Sequence, residues 1–289
     1  MSTVKDGKKK SFKLKSFVVK IVVVILVGVI IYESYDIYDE MHEREVAVQE
    51  YEDIASSAVS VNPEKDPDTG EESVAIDEET GIPELTIDFD ALTSQNADFI
   101  GWLYWDFDVE NDKYDFTLNY PIVKENYTDQ YLHVTYTGER NSSGCIFLDE
   151  YSDETFMGYS DFLFGHNMRN GSMFGSLDNI YRMPDRDELN SKPLYFYVYT
   201  KEATFKYVVY CFESTNNGND TVYAIINDDE GYDAYVKRLK TLTSYKCPID
   251  VSFDDRPEIL SLSTCSGQRG SSKRFVIHGV KIETVANAD

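Results

Sequence analysis

The feature that most limits the fold is a series of short apolar segments rich in Val, Ile, Tyr and Phe. Turn residues separate these segments, and many short strands at such spacing are typical of a barrel or a sandwich. The segments are NYPIVK (119–124), SGCIFLD (143–149), DFLFGH (161–166), PLYFYVYT (193–200), ATFKYVVYCFEST (203–215), EILSLSTC (258–265) and RFVIHGVKIE (274–283). The sequence therefore predicts a mainly β fold.

A few helices are predicted around these strands. Residues 90–98 and 171–181 have helical character, and a third helix is predicted over 228–246, where Tyr232 and Leu239 share one apolar face. A strand carrying Trp102 and Trp105 is expected between the first helix and NYPIVK.

The N-terminal region contains an apolar run, FVVKIVVVILVGVIIY (17–32), preceded by a lysine-rich flank. The run is slightly shorter than the roughly 20 residues of a spanning helix. Because basic flanks stay on the cytoplasmic side, we expect the N-terminus inside and the remainder outside. The alternative is a cleaved signal peptide, but YESYDIYDE, which follows, offers no small-residue cleavage site.

The chain is predicted to have four parts. Residues 1–16 form a basic cytoplasmic tail, and 17–32 form a transmembrane anchor. Residues 33–83 form an extracellular helix and an acidic linker rich in Pro, Gly and acids, expected to be mobile. Residues 84–289 form the folded domain.

The charge is strongly negative, −25 over 289 residues, although residues 1–32 hold seven Lys and a single acid. The remainder carries 20 basic and 51 acidic residues, or −31. A body this acidic repels phosphate backbones, so nucleic acid is excluded as a partner.

The four cysteines are Cys145, Cys211, Cys247 and Cys265. Their spacing matches no metal site, and no cofactor is predicted. A disulfide is permitted outside the cell, but burial as free thiols is the favoured interpretation for the first three.

Cys265 is the last residue of a predicted strand, and Arg274 begins the next strand nine residues later. If the two strands pair as a hairpin, these residues lie almost opposite each other. A guanidinium there would favour the thiolate and stabilise an oxyanion. Strand alternation places Ser263 on the face of Cys265.

A cysteine nucleophile needs a proton donor for its leaving group, and histidine is the usual one. His166 ends a hydrophobic strand after Gly165 and precedes a turn, a position where active-site residues are common. His278 alternates with apolar residues within a strand, which favours a structural role, and His42 is expected to be solvated. His133 follows a strand or turn segment, QYLHV.

These residues resemble the sortase family. LSTC (262–265), with an arginine nine residues later in KRFVIHGVKI, is similar to the sortase signature. FGHNMRNGSMFGSL (164–177), GCIFLDE (144–150) and GWLYW…NYPIVK…DQYLH (101–133) resemble class B segments in the same order. The similarity covers about residues 84–283. The helix at 228–246 resembles the additional helix of class B.

The resemblance implies a sortase-type β-barrel with peripheral helices, and transpeptidation with Cys265 as nucleophile, His166 as acid and base, and Arg274 as oxyanion stabiliser. It further implies that Ser263 lines the substrate groove. Ser261 stands where the pattern usually has Thr. Arg269, in a Gly-flanked loop, is a weaker alternative to Arg274 because a loop orients a guanidinium poorly.

The implied reaction cleaves the C-terminal sorting motif of a secreted protein after Thr and transfers the acyl group to an amine of peptidoglycan. Three alternatives remain at this point. The acceptor is a pilin Lys, or water resolves the thioester as in a cysteine hydrolase, or the chain is a non-enzymatic anchored binding domain.

Overall fold

The computed structural model describes residues 4–65, 72–216, 225–242, 244–265 and 272–287, with the backbone alone for 4–16, 64–65, 72–73 and 265. Residues 1–46 and 47–289 form two compact units.

The first unit is helical. Helix α1 (Val4–Ala58) contains the predicted apolar segment and continues beyond it into the second unit. Its residues from Phe17 onward include a stretch of mean hydropathy 2.5, which is long and apolar enough to cross a membrane. The prediction of an N-terminal apolar helix is confirmed.

The second unit is built around a closed β-barrel of eight strands. The barrel strands follow one another in the order β10-β12-β11-β8-β7-β6-β5-β9, and β9 pairs with β10 to close it. They are β5 (Phe99–Phe107), β6 (Phe116–Lys124), β7 (Ile146–Leu148), β8 (Ser160–Gly165), β9 (Tyr195–Tyr199), β10 (Ala203–Asn216), β11 (Ile259–Cys265) and β12 (Lys273–Ala286). The predicted mainly β fold and closed barrel are confirmed.

Two of the barrel pairings are parallel, β6 with β7 and β8 with β11, and the others are antiparallel. Alternate residues of β11 face opposite sides, as expected for a strand. Leu260 and Leu262 join the main hydrophobic core, whereas Ile259 packs in a second cluster with Tyr232 and Leu239. The barrel wall at β11 is thus covered on both faces.

Short elements surround the barrel. They are β1 (Val59–Val61), β2 (Pro63–Lys65), β3 (Glu72–Val74), β4 (Leu85–Ile87), α2 (Phe89–Gln95), a 3₁₀ turn (Gly175–Leu177), α3 (Asp178–Arg182), α4 (Arg186–Leu189) and α5 (Asp229–Leu239). Asp228 caps α5 by accepting a hydrogen bond from the backbone of Gly231. The predicted helices at 171–181 and 228–246 are both shorter in the structure.

The acidic segment predicted to be a mobile linker contains paired backbone. β1 pairs with β4, and β2 pairs antiparallel with β3. The last turns of α1 also belong to the barrel unit, where Tyr51, Ile54 and Ala58 are buried in the main core. The predicted domain limits remain a prediction, but residues on both sides of position 84 contribute to this packing.

Candidate active site

Three neighbouring strands bring the predicted catalytic positions to one edge of the barrel, which we term the three-strand rim: the ends of β8 and β11 and the start of β12. Thr264 of β11 lies opposite Gly165 of β8, and Cys265 lies opposite Arg274 of β12. The predicted pairing of Cys265 with Arg274 is therefore confirmed.

His166 follows β8 directly at this rim. Thr264 Oγ1 donates a hydrogen bond to the carbonyl of Gly165 over 2.8 Å, which ties the ends of β8 and β11 together. The pairing ends at Gly165 and Thr264, so His166 and Cys265 are the next residues along two chain segments whose strands lie roughly 4.8 Å apart. The thiol of Cys265 lies outside the described side chains, as does Arg269.

The imidazole of His166 is half-buried and is held by one backbone group. Its Nε2 lies 2.7 Å from the carbonyl oxygen of Leu132. A carbonyl oxygen only accepts, so Nε2 carries a proton and donates it. Nδ1 is then the nitrogen at which the ring can take up or release a proton.

Burial lowers the pKa of His166 from its ordinary value, and the hydrogen bond to Leu132 acts against this effect. Electrostatic repulsion from His133 and Arg274 lowers the pKa of His166 further. The neutral ring is therefore favoured over the imidazolium near neutral pH.

Gly144 lies close to the carbonyl of Leu132 and leaves room for it only because glycine has no side chain. Gly144 has a φ of 58°, and a Cβ there would lie 2.5 Å from the Leu132 oxygen, so any larger residue would displace this carbonyl. Tyr51 of α1 donates a hydrogen bond to the carbonyl of Gly144 over 2.6 Å. Through Tyr51, the last turns of α1 thus hold Gly144 in place beside Leu132, whose carbonyl binds the His166 ring.

The segment after His166 is held on its other side by Tyr120. The backbone N–H of Met173 donates to the Tyr120 hydroxyl over 3.0 Å, and the Phe174 N–H donates to the carbonyl of His166 over 3.0 Å. Tyr120 also packs edge-on against Tyr51, with ring centroids 5.5 Å apart. Tyr51 therefore supports His166 in two ways, through Gly144 and Leu132 on one side and through Tyr120 on the other.

Arg274 is half-buried at the start of β12 and donates a hydrogen bond from Nη1 to the carbonyl of Lys273 over 3.1 Å. Its backbone lies opposite Thr215 on one side and Cys265 on the other. Its charge lowers the pKa of His166, which directly follows β8 at the same rim. A guanidinium so placed can stabilise an oxyanion.

Ser263 lies two residues before Cys265 and is fully buried. Its hydroxyl has no hydrogen-bond partner within the described part of the chain. Contact between Ser263 and a substrate stays a prediction.

The other three cysteines are free thiols. Cys145 and Cys211 are buried and Cys247 is half-buried, so the predicted burial holds fully for two of them. Burial raises the pKa of Cys145 to about 12 and also raises that of Cys211. Since the thiolate is the nucleophile, neither thiol is suited to attack a carbonyl.

Two features of this site were not predictable from the sequence. The ring of His133 stacks on that of His166, with centroids 5.4 Å apart and an interplanar angle of 18°. The Leu132 carbonyl binds the same ring. The resemblance of QYLH to a class B segment indicates that this region matters for the site. The contact with the Leu132 carbonyl could not be predicted, because a backbone carbonyl is present in every residue type.

Comparisons with known proteins agree with the architecture. The family model for the sortase domain matches residues 113–282. Sortase B of Listeria monocytogenes is 31% identical over 65% of this chain and 71% of its own length.

Two solved structures are also similar. A Bacillus anthracis protein described as similar to sortase B is 25% identical with a TM-score of 0.57, covering 86% of this chain and 98% of its own. A Streptococcus pyogenes class B sortase involved in pilus biogenesis is 21% identical with a TM-score of 0.54, covering 68% and 98% of the two chains.

The sortase domain spans more than half of the chain, and the match to sortase B of Listeria monocytogenes covers 71% of that protein. The predicted resemblance is confirmed, and the barrel is the one seen in class B structures. The chain belongs to the sortase family of cysteine transpeptidases, in its class B branch.

Proposed function

We propose that this enzyme cleaves the C-terminal sorting motif of secreted proteins after Thr and transfers the acyl group to an amine of peptidoglycan. Cys265 is the nucleophile, His166 the acid and base, and Arg274 the oxyanion stabiliser. The observation that carries this assignment is the strand register, which aligns Thr264 with Gly165 and Cys265 with Arg274.

In the first half of the reaction, the Cys265 thiolate attacks the Thr carbonyl and forms a tetrahedral oxyanion, which Arg274 stabilises. The C–N bond then breaks, and the protonated His166 gives its Nδ1 proton to the departing amine. The product is a thioester on Cys265 and a released C-terminal peptide.

In the second half, neutral His166 accepts a proton at Nδ1 from the incoming amine, which attacks the thioester carbonyl. Collapse of the second tetrahedral oxyanion expels the Cys265 thiolate and leaves the new amide. Because burial favours the neutral ring, this base role suits His166 at neutral pH, whereas the thiolate–imidazolium pair forms in a minor fraction.

The charge of the chain is consistent with a cationic acceptor. The sequence outside residues 1–32 carries −31. Such a field attracts ammonium groups over distances of about one Debye length, roughly 8 Å at physiological salt. An amine of a peptidoglycan precursor meets this description.

The apolar helix is proposed to anchor the enzyme, with the lysine-rich N-terminus in the cytoplasm and the barrel outside. The secreted substrate proteins would reach the barrel there.

A second acceptor is a pilin Lys, because the Streptococcus pyogenes relative is a class B sortase involved in pilus biogenesis. Its side-chain amine offers the same nucleophile on a folded protein. The two acceptors therefore differ in what surrounds the amine rather than in the chemistry at Cys265.

Acceptor choice is tested by giving the enzyme a sorting peptide with either a peptidoglycan-type amine or a pilin domain, and identifying the products by mass spectrometry. We expect the peptidoglycan-type amine to appear in the main product. Preference for the pilin Lys overturns the wall acceptor, and a product indifferent to both amines indicates hydrolysis.

Two cysteine variants provide the control for this experiment. Cys265→Ala should abolish both cleavage and transfer. Cys247→Ala removes a half-buried thiol elsewhere in the barrel unit and should leave both reactions intact. Loss of activity in both variants would indicate damage to the fold rather than removal of the nucleophile.

A further inference from the structure

The His166 ring has a second contact that the proposed reaction does not use. His133 is exposed, and its ring stacks nearly parallel to that of His166, with centroids 5.4 Å apart. Leu132, the preceding residue, accepts the hydrogen bond from His166 Nε2. Two consecutive residues therefore meet the imidazole, one at its edge and one at its face.

The segment that carries both contacts is held firmly. The carbonyl of Tyr131 accepts from the Cys145 backbone over 3.1 Å, and that of His133 accepts from the Asn141 backbone over 3.0 Å. The carbonyl of Val134 accepts from the thiol of Cys145 over 3.2 Å. With Leu132 bound to His166, four consecutive carbonyls of this segment have partners.

One hydrogen bond fixes where Nε2 lies but leaves the ring free to turn about that contact. An aromatic ring stacked on the face of the imidazole, such as that of His133, restricts this rotation. We propose that His133 is a positioning residue, whose ring holds the His166 imidazole in the plane that directs Nδ1 to the end of β11. This inference rests on the proposed role of His166.

The charged groups around the ring give His133 a second effect. The loop contributes His133, β12 contributes Arg274, and both disfavour the imidazolium of His166. Cys265 ends the adjacent strand β11. Replacing His133 by a residue that cannot be protonated removes one of these two effects, so the pKa of His166 should rise.

Two variants separate the face of the ring from its charge. His133→Phe keeps a flat ring and removes the charge, whereas His133→Ala removes both. Sorting-peptide cleavage is measured for each against pH, together with the ¹³C–¹H NMR titration of the His166 ring. Circular dichroism and thermal unfolding establish that both variants fold.

We expect His133→Ala to lower kcat by about tenfold with little change in KM, since misplacement of a catalytic group costs rate rather than binding. His133→Phe should recover kcat to within about threefold, because a flat face again holds the ring. In both variants, the acidic limb of the pH profile and the His166 titration should move to higher pH.

An unchanged rate and pH profile in His133→Ala overturns the proposal, as does a His133→Phe variant as impaired as His133→Ala. His166→Ala keeps the two hypotheses apart. If it still cleaves the peptide, the proposed function fails. If it is inactive while His133→Ala is unaffected, only the positioning role fails.

Discussion

His166 directly follows a barrel strand, whereas His278 lies within one, and the two rings have opposite surroundings. His166 is half-buried at a strand end and has one nitrogen bound to a carbonyl. His278 is fully buried in the middle of β12. Its Nδ1 lies 2.9 Å from Ser261 Oγ and 3.2 Å from the Tyr235 hydroxyl.

The other nitrogen of His278 faces a carboxylate. Nε2 lies 3.7 Å from Glu213 Oε1, an ion-pair distance that is too long for a hydrogen bond. The two histidines show what a catalytic ring requires: burial lowers the pKa of both, but only His166, at the strand end, is partly exposed and open to a substrate. The structural role predicted for His278 agrees with its surroundings.

The largest effect that sharpens this contrast is expected for His166→Gln. Removing an acid and base that acts in both halves of the reaction should lower kcat/KM for transpeptidation by about 10²–10⁴-fold. Steady-state kinetics with a sorting peptide and an amine measure it. A fall below tenfold in a folded variant would contradict the assigned role.

Replacement of Arg274 comes next. Arg274→Ala removes an oxyanion donor and should lower kcat by about 10²–10³-fold. Arg274→Lys keeps the charge without the planar donor pair and should recover little of the loss. Equal activity of Arg274→Lys and the parent enzyme would show that charge alone is needed.

Gly144→Ala tests the support beneath His166. The added Cβ meets the Leu132 oxygen at 2.5 Å, so the carbonyl must move and the ring with it, with a fall in kcat of about tenfold or more. Gly138→Ala is the matched control, because Gly138 also has a positive φ, 92°, but no atom near its Cβ position. Similar losses in both variants would point to backbone strain instead.

His278→Asn tests the buried counterpart. It should destabilise the fold by about 1–3 kcal/mol, since buried partners lose their hydrogen bond, while kcat changes by less than about threefold. Urea unfolding and peptide kinetics measure the two. A catalytic loss as large as that of His166→Gln would remove the distinction between the two rings.

The pH dependence of the same variant sharpens this result. Burial lowers the pKa of His278 in the folded state, so the unfolded chain binds that proton more tightly. The stability that neutral His278 contributes is present above its unfolded pKa of about 6.5 and is lost as the pH falls below that value. His278→Asn should show a shallower loss of stability on acidification than the parent enzyme.

The informative quantity is the difference in the pH dependence of stability between His278→Asn and the parent enzyme. Burial raises the pKa of Asp161 and of Glu125 to about 7. Protonation of these two acids stabilises the folded state as the pH falls, which opposes the destabilising effect of His278 over the same pH range. Their contribution cancels in the comparison. An identical pH slope in both proteins would mean that His278 does not titrate on unfolding.

The smallest effect is expected for Tyr51→Phe. It removes the hydrogen bond to Gly144 without opening a cavity, which should cost about 0.5–1.5 kcal/mol of stability. Because Tyr51 supports His166 through two intermediaries, kcat should fall by less than about threefold. Chemical unfolding and kinetics on the same preparation measure both.

The sequence predicted the parts of the fold that periodicity encodes. Apolar patterning predicts the strands around Ile259 and Val276, and the nine-residue spacing from Cys265 to Arg274 predicts their pairing. The parallel neighbour of β11 was not predictable, because β8 lies about a hundred residues earlier in the chain. The sequence therefore identified His166 without showing how its strand meets that of Cys265.

Predictions failed where local backbone geometry decides the structure. The helix predicted from residue 171 begins only after Met173, whose φ of 54° is incompatible with a helix. The contacts of His133 and Leu132 depend on a loop held by carbonyls, which no residue pattern records.

The central claim is that Cys265, His166 and Arg274 act on one carbonyl at the three-strand rim. Its most direct test traps a sorting peptide on the enzyme and maps the acyl group by mass spectrometry after proteolysis. We predict a thioester on Cys265 that accumulates without an amine and disappears when one is added. An acyl group on any other residue, or turnover by Cys265→Ala, would contradict the account.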